Sequence, residues 1–166
     1  LIQGGFLFAH PVLLYGLRVE PEDQNSEVTG EEEIGGALMI NGQPAYIDNI
    51  DEETAAVIGQ ALDKVMAEKQ LFKNPDLRIS DLAMASGFLS YKLSAYFRKR
   101  LYQNFYDYVN GWRINYCTEM IDSGQFRIKT LEALASESGF RSRSTFIRAF
   151  KKAKDMTPSN YIHNLK

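Results

Sequence analysis

Ten residues of this chain occur twice in closely related form. Residues 79–88 read ISDLAMASGF and residues 131–140 read LEALASESGF, 52 positions apart. Leu82-Ala83 answers to Leu134-Ala135, and Ser86-Gly87-Phe88 to Ser138-Gly139-Phe140. Each Gly-Phe is followed by two apolar residues four apart, Leu93 and Phe97 in the first copy, Phe146 and Phe150 in the second. A glycine tolerates φ > 0 and so stops a helix cleanly, and side chains four apart share a helix face. Each copy therefore predicts a helix, a tight turn and a second helix. The duplication predicts two such units in one chain.

The second copy is the more explicit. Ser142 is placed to cap its second helix, and Thr157-Pro158 reads as an N-cap and first helical residue of one more helix. Thr145, Phe146, Ala149 and Phe150 fall on the inward face. Arg143, Ser144, Ile147, Arg148, Lys151 and Lys152 are left outward. A tight two-helix turn with a basic, hydroxyl-bearing second helix is what a reader of the DNA major groove needs. The same pattern would also suit an ordinary helical hairpin with a solvated basic face. In the first copy one residue fewer follows Gly-Phe, so Leu89 stands where Ser142 stands. The cap there is either weaker, at a typical cost of ~1 kcal/mol, or shifted to Ser90.

Between the copies, Phe105 to Ser123 predicts one long helix, with Tyr108, Val109, Trp112, Ile114, Tyr116, Cys117, Met120 and Ile121 at helical spacing. Such a helix spans roughly 28 Å. It can hold two reading units about one turn of DNA apart, roughly 34 Å. Upstream, Asp51 to Lys69 predicts a helix capped by Asp51, with Ala55, Ile58, Leu62, Val65 and Met66 as its apolar stripe. Leu71-Phe72 closes the stripe, and Asn74-Pro75 ends the element.

The first 50 residues differ in kind. Residues 1–63 hold one base and 12 acids, whereas residues 64–166 hold 18 bases and 9 acids, so a net charge of −2 divides into −11 and +9. A basic half of this kind suits a polyanion partner. Residues 20–36 are acidic and poor in apolar residues, the composition of a mobile linker. Asn41-Gly42 within 37–47 is a hairpin signal, with Pro44 limiting the second strand. Residues 1–17 are apolar but too short for a spanning helix. They suit the cytoplasmic end of a transmembrane segment, a short strand or a core-docking segment. The chain opens on Leu1, and the expectation is a sensor or membrane region further upstream, with residues 20–36 as tether.

Little here points to an enzyme. There is no Gly-rich phosphate loop and no Ser/His/Asp arrangement with a plausible base. His10 and His163 sit in no metal-ligand spacing, and neither cofactor nor metal is expected. The single cysteine, Cys117, excludes an intramolecular disulfide, suits a reducing compartment and reads as buried filler. No aromatic-bearing strand platform or GXXG loop suggests RNA. The competing reading is a helical protein-interaction module that sets its basic face against acidic partners.

Residues 77–162 resemble the two-unit DNA-binding domain of AraC/XylS-type transcription regulators. The resemblance is carried by LRISDLA (77–83), the SGF turn (86–88), YVNGWRINYCTEMI (108–121), ESGFRSRSTFIRAFKK (137–152) and MTPSNYI (156–162). It implies an all-α fold of about seven helices and a bacterial, cytoplasmic transcription factor. It further implies insertion of two recognition helices into adjacent major grooves. The divisions expected are an N-terminal segment to residue 50, a lead-in helix at 51–75 and the DNA-binding domain at 76–166. Within the last lie one helix-turn-helix at 79–101, a connecting helix at 105–123, the other helix-turn-helix at 129–153 and a final helix at 158–165.

By the same resemblance, Ser90, Tyr91, Ser94 and Ala95 are recognition positions in unit one, and Arg143, Ser144, Thr145, Ile147 and Arg148 in unit two. Ala95 stands where unit two has Arg148 and cannot hydrogen-bond a base edge. Phosphate contacts are expected from Arg98, Lys99, Arg100, Arg141, Lys151 and Lys152. RNA polymerase is a further expected partner. A looser likeness of LLYG (13–16), the acidic linker and FKNPDLRISDLA to membrane-anchored or sensor-fused members implies anchoring of the intact protein in the inner membrane.

Overall fold

The computed structural model describes Leu38–Ile40, Gln43–Ala45 and residues 50–165. The expectations for 1–17 and 20–36 lie outside the described residues. Two short strands, β1 (Leu38–Ile40) and β2 (Gln43–Ala45), pair antiparallel with Leu38 opposite Ala45 and Ile40 opposite Gln43. The rest is helical: α1 (Glu52–Lys69), α2 (Ile79–Ser86), α3 (Ser90–Lys99), α4 (Phe105–Asp122), α5 (Leu131–Glu137), α6 (Arg143–Lys154) and α7 (Pro158–Asn164). Seven α-helices among the described residues give the all-α class expected of the sequence.

Local chemistry sets most helix ends. The Thr54 N–H donates to the Asp51 carboxylate at 2.7 Å, the Asp107 N–H to Asn104 at 2.8 Å, the Ala133 N–H to Thr130 at 3.1 Å, and the Asn160 N–H to Thr157 at 3.2 Å. Each bond satisfies an amide that the helix itself leaves unpaired. The Thr54 N–H holds the Asp51 carboxyl below its usual range. At the other ends, Gly87, Gly124 and Gly139 take left-handed φ of 77°, 84° and 91°.

The long helix α4 belongs to two cores. Its N-terminal half, through Tyr108, Val109 and Trp112, packs with α1, α2 and α3 around Ile58, Leu62, Met66, Leu82, Leu93 and Phe97. Its C-terminal half, through Ile114, Cys117, Met120 and Ile121, packs with α5 and α6 around Leu134, Phe140, Phe146 and Phe150. Phe140, Phe146, Phe150 and Tyr161 form a chain of edge-on rings 5.3–5.7 Å apart, which brings α7 onto unit two. Burial pushes the Cys117 thiol up to about 11, in keeping with its reading as core filler.

A second connection joins the units beside α4. After α1, Gln70 turns left-handed and Leu71–Lys73 form one turn of 3-10 helix, which buries Phe72 against Trp112 and Tyr116. The carbonyl of Phe72 then faces unit two. A Cβ on Gly139 would lie 2.3 Å from it. Arg113, 8% exposed, donates from Nε to the Phe72 carbonyl and from Nη2 to the Asn74 carbonyl, both at 2.8 Å, with its guanidinium over the Phe140 ring. The 3-10 turn, the glycine of the second helix-turn-helix and a buried arginine thus lock the two units together.

Candidate nucleic-acid interface

Each unit presents one helix whose inner face is buried and whose outer face is polar. In unit two, α6 buries Phe146 and Phe150 and starts at Ser142, whose Oγ accepts from the Thr145 N–H at 3.2 Å. The capping network extends to side chains: Ser142 donates to Thr145 Oγ1 at 2.9 Å and lies 3.2 Å from Ser144 Oγ. Thr145 is half-buried, so its hydroxyl serves the cap, consistent with the inward face its spacing gave it. Ile147 is half-buried as well and packs on the second core. Arg143, Ser144, Arg148, Lys151 and Lys152 are exposed. Of the residues expected to read bases here, Arg143, Ser144 and Arg148 share the open face, and Thr145 and Ile147 lie at its edge.

In unit one, α3 starts at Leu89, which caps nothing with its side chain and is 60% exposed. Ser90 is the first helical residue, so the cap does not move onto it. At the start of α2, Asp81 accepts from the Arg78 N–H at 2.9 Å. Ser94 is exposed, and Ser90 and Tyr91 are half-buried. Ala95 is 4% exposed and therefore closed to a base edge, which corrects its place among the recognition positions. Its small side chain sits on the buried side of α3, between Leu93 and Phe97, where unit two has an exposed arginine.

The expected phosphate contacts divide in the same way. Arg98 and Lys99 are exposed in the last turn of α3. Arg100 is turned to the start of α1 instead, donating to Glu52 at 2.7 Å and to the Ile50 carbonyl at 2.8 Å. In this structure its fork ties α3 to α1. In unit two, Arg141 pairs with Asp76, Arg143 with Glu132 at 2.6 Å and Lys152 with Asp107 at 3.0 Å. The sequence reading missed Arg113, which holds the two helix-turn-helix units in register without reaching the interface. Its signal was present: Arg113 lies four residues from both Val109 and Cys117, on the buried face of α4.

Two helix-turn-helix units in one chain, each with a polar second helix, joined by a helix that both cores share, define a bipartite helix-turn-helix domain. Residues 90–164 match the family model described as "Helix-turn-helix domain". Two relatives show the same likeness. The "TCP pilus virulence regulatory protein" of Vibrio cholerae is 36% identical over 61 residues, 37% of this chain and 21% of that protein. The "Regulatory protein SoxS" of Escherichia coli is 29% identical over 89 residues, 54% of this chain and 80% of that protein. The chain thus spans about a fifth of the length of the first of these.

Among solved structures, the C-terminal domain of AraT, a response regulator from Geobacillus stearothermophilus, shares the fold. It superposes with a TM-score of 0.52 at 20% identity, covering 65% of this chain and 84% of that one. A Listeria innocua protein of unknown function gives 0.50 at 25% identity, covering 61% of this chain and 92% of that one. Residues 90–164 of this chain are thus similar to that helix-turn-helix family. Among the described residues, no helix is long and apolar enough to cross a membrane.

Proposed function

We propose that this chain is the DNA-reading part of a bacterial transcription regulator, acting in the cytoplasm. It would insert α3 and α6 into successive major grooves on one face of the duplex. The observation that carries this reading is α4, 18 residues long and shared between the two cores. At 1.5 Å per residue it spans about 27 Å. That is close to the roughly 34 Å repeat at which adjacent major-groove segments face the same way.

In this reading the two units divide the work. Arg143, Ser144 and Arg148 read base edges, with Thr145 and Ile147 at the margin. Arginine against guanine O6 and N7 is the commonest specific contact. Ser90, Tyr91 and Ser94 of unit one offer hydroxyls but no arginine, so unit one supplies mainly affinity and register. Arg98, Lys99, Arg141, Lys151 and Lys152 contact phosphates. RNA polymerase is the expected protein partner. Attachment to a sensor or to the inner membrane through the N-terminal side would make this domain an output module.

Selection from random duplexes tests the reading. It expects one enriched bipartite site, with the better-defined half read by unit two. Affinity should fall steeply between about 50 and about 200 mM salt, because phosphate contacts release counterions. Equal affinity at both concentrations, or no enriched site, would defeat it in favour of a module whose basic face binds acidic proteins.

A further inference from the structure

The outward cations of unit two fall into two groups. Arg141, Arg143 and Lys152 are each paired to a carboxylate from outside α6: Asp76 in the loop before α2, Glu132 on α5 and Asp107 in the first turn of α4. Arg148 and Lys151 lie on the same helix and have no ion-pair partner among the described residues. We propose that Asp76, Glu132 and Asp107 are specificity-determining residues, which weaken binding to arbitrary duplex DNA more than binding to the cognate site. This inference rests on the DNA-binding reading above.

The physical basis is a difference between phosphates and base edges. Non-specific binding is the summed attraction of cations for phosphates, with release of counterions. A cation already paired to a carboxylate contributes less to that sum. Either the pair opens, or the carboxylate is carried toward the phosphates and repels them. These pairs are exposed, with side-chain exposures of 69% and 60% for Arg141 and Asp76, 70% and 55% for Arg143 and Glu132, and 62% and 30% for Lys152 and Asp107. Exposed pairs are weak and screened by salt. Opening them is therefore easy, and the carboxylate left beside the phosphates is the lasting obstacle.

A base edge makes a different demand. Guanine asks for two parallel N–H donors from one guanidinium. Arginine carries five N–H donors. Only Nη1 of Arg143 is given to Glu132, so the remaining donors can serve a base while Glu132 holds the planar group in place. In a specific complex the pair survives as a support. In a non-specific complex it is an impediment. Glu132 is then a positioning residue for Arg143, and Asp76 and Asp107 act on phosphate attraction alone.

Glu132→Gln, Asp76→Asn and Asp107→Asn keep size and remove charge. Each variant of the chain is titrated with its selected site and with a scrambled duplex of equal length across a salt series, and thermal denaturation is followed alongside. The scrambled duplex should bind about two- to fivefold tighter in each variant, the fold-change an exposed pair allows. The ratio of specific to scrambled affinity should fall, and Glu132→Gln should also blur base preference at one position of the unit-two half-site. Unchanged scrambled-duplex affinity and an unchanged ratio, with melting temperature preserved, would overturn the inference. Asp107 sits in a helix first turn, so if Asp107→Asn fails to fold, Glu132→Gln and Asp76→Asn decide. A wild-type chain that binds neither duplex defeats the DNA-binding reading itself, an outcome distinct from a chain that binds both with carboxamide variants behaving alike.

Discussion

Arg113 Nε lies 2.8 Å from the carbonyl oxygen of Phe72, forty-one residues earlier in the chain. Through that bond the connecting helix grips the turn that follows α1, and the same guanidinium reaches the Asn74 carbonyl. Arg113→Met would fill much of the space but leave the Phe72 carbonyl without its partner and the Asn74 carbonyl with the Leu77 N–H alone. A buried acceptor left unsatisfied costs about 1–3 kcal/mol. Arg113→Met should therefore lower unfolding free energy by about 1–3 kcal/mol in urea titration, where a merely filling role would leave it near neutral.

The two turn glycines should respond unequally to substitution. Gly87 and Gly139 both hold left-handed φ, at 77° and 91°. An added Cβ at Gly87 meets nothing within 4 Å, whereas at Gly139 it meets the Phe72 carbonyl at 2.3 Å and Lys73 backbone atoms at 3.0 Å. A left-handed L-residue costs roughly 1–2 kcal/mol by itself. Gly87→Ala should lose about that much. Gly139→Ala should lose clearly more and should weaken binding to bipartite sites beyond its effect on stability, because the two units are then pushed apart. Equal losses at the two positions would mean that the Gly139 contact does not constrain the molecule.

Capping offers a gain as well as a loss. Ser142→Ala removes the acceptor for the Thr145 N–H and should cost typically ~1 kcal/mol. Leu89 occupies the corresponding place in unit one, 60% exposed and with no capping bond. Leu89→Ser should stabilise the domain by a similar ~1 kcal/mol. Thermal denaturation of the two variants should therefore shift in opposite directions.

Readout and phosphate contact should separate in kind. Arg148→Ala should relax preference at a guanine in the unit-two half-site, worth about 1–3 kcal/mol against the wrong base. Lys151→Ala should weaken all sequences alike and reduce the salt slope by about 1. Binding-site selection on both variants checks the division, and unchanged base preference in Arg148→Ala would remove that residue from the reading set.

The Cys117 thiol gives a pH-dependent probe. The thiolate is the reactive form, and burial raises the pKa of this thiol to about 11. Native protein near pH 8 should thus be alkylated far more slowly than protein unfolded in denaturant. Its reactivity should climb only as pH approaches 11, and rapid native alkylation at pH 8 would show that the second core opens readily.

What the sequence disclosed, and what it did not, follows the range of the interactions. The helices, both Gly-Phe turns and the caps at Asp51, Ser142 and Thr157 obey rules that operate within a few residues. The stripe Ala55, Ile58, Leu62, Val65 and Met66 is buried as its spacing required. The burial of Ala95 and the capture of Arg100 by Glu52 and the Ile50 carbonyl depend on how α3 settles against the rest of its unit, which periodicity does not encode. Both residues looked like members of an open face until tertiary contacts claimed them. The pairing of Arg141, Arg143 and Lys152 was hidden for a similar reason, since Asp76, Glu132 and Asp107 come from three other parts of the chain.

The Gly139 backbone pressed against the Phe72 carbonyl has a consequence for recombination. Tandem readers are tempting parts for hybrid regulators, with one half-site specificity swapped for another. Here the border between halves does not fall within α4 alone. A transplanted second unit must arrive with a glycine at its turn and must meet a host that supplies both the 71–73 turn and Arg113. Chimeras cut elsewhere would inherit intact recognition helices aimed at the wrong spacing.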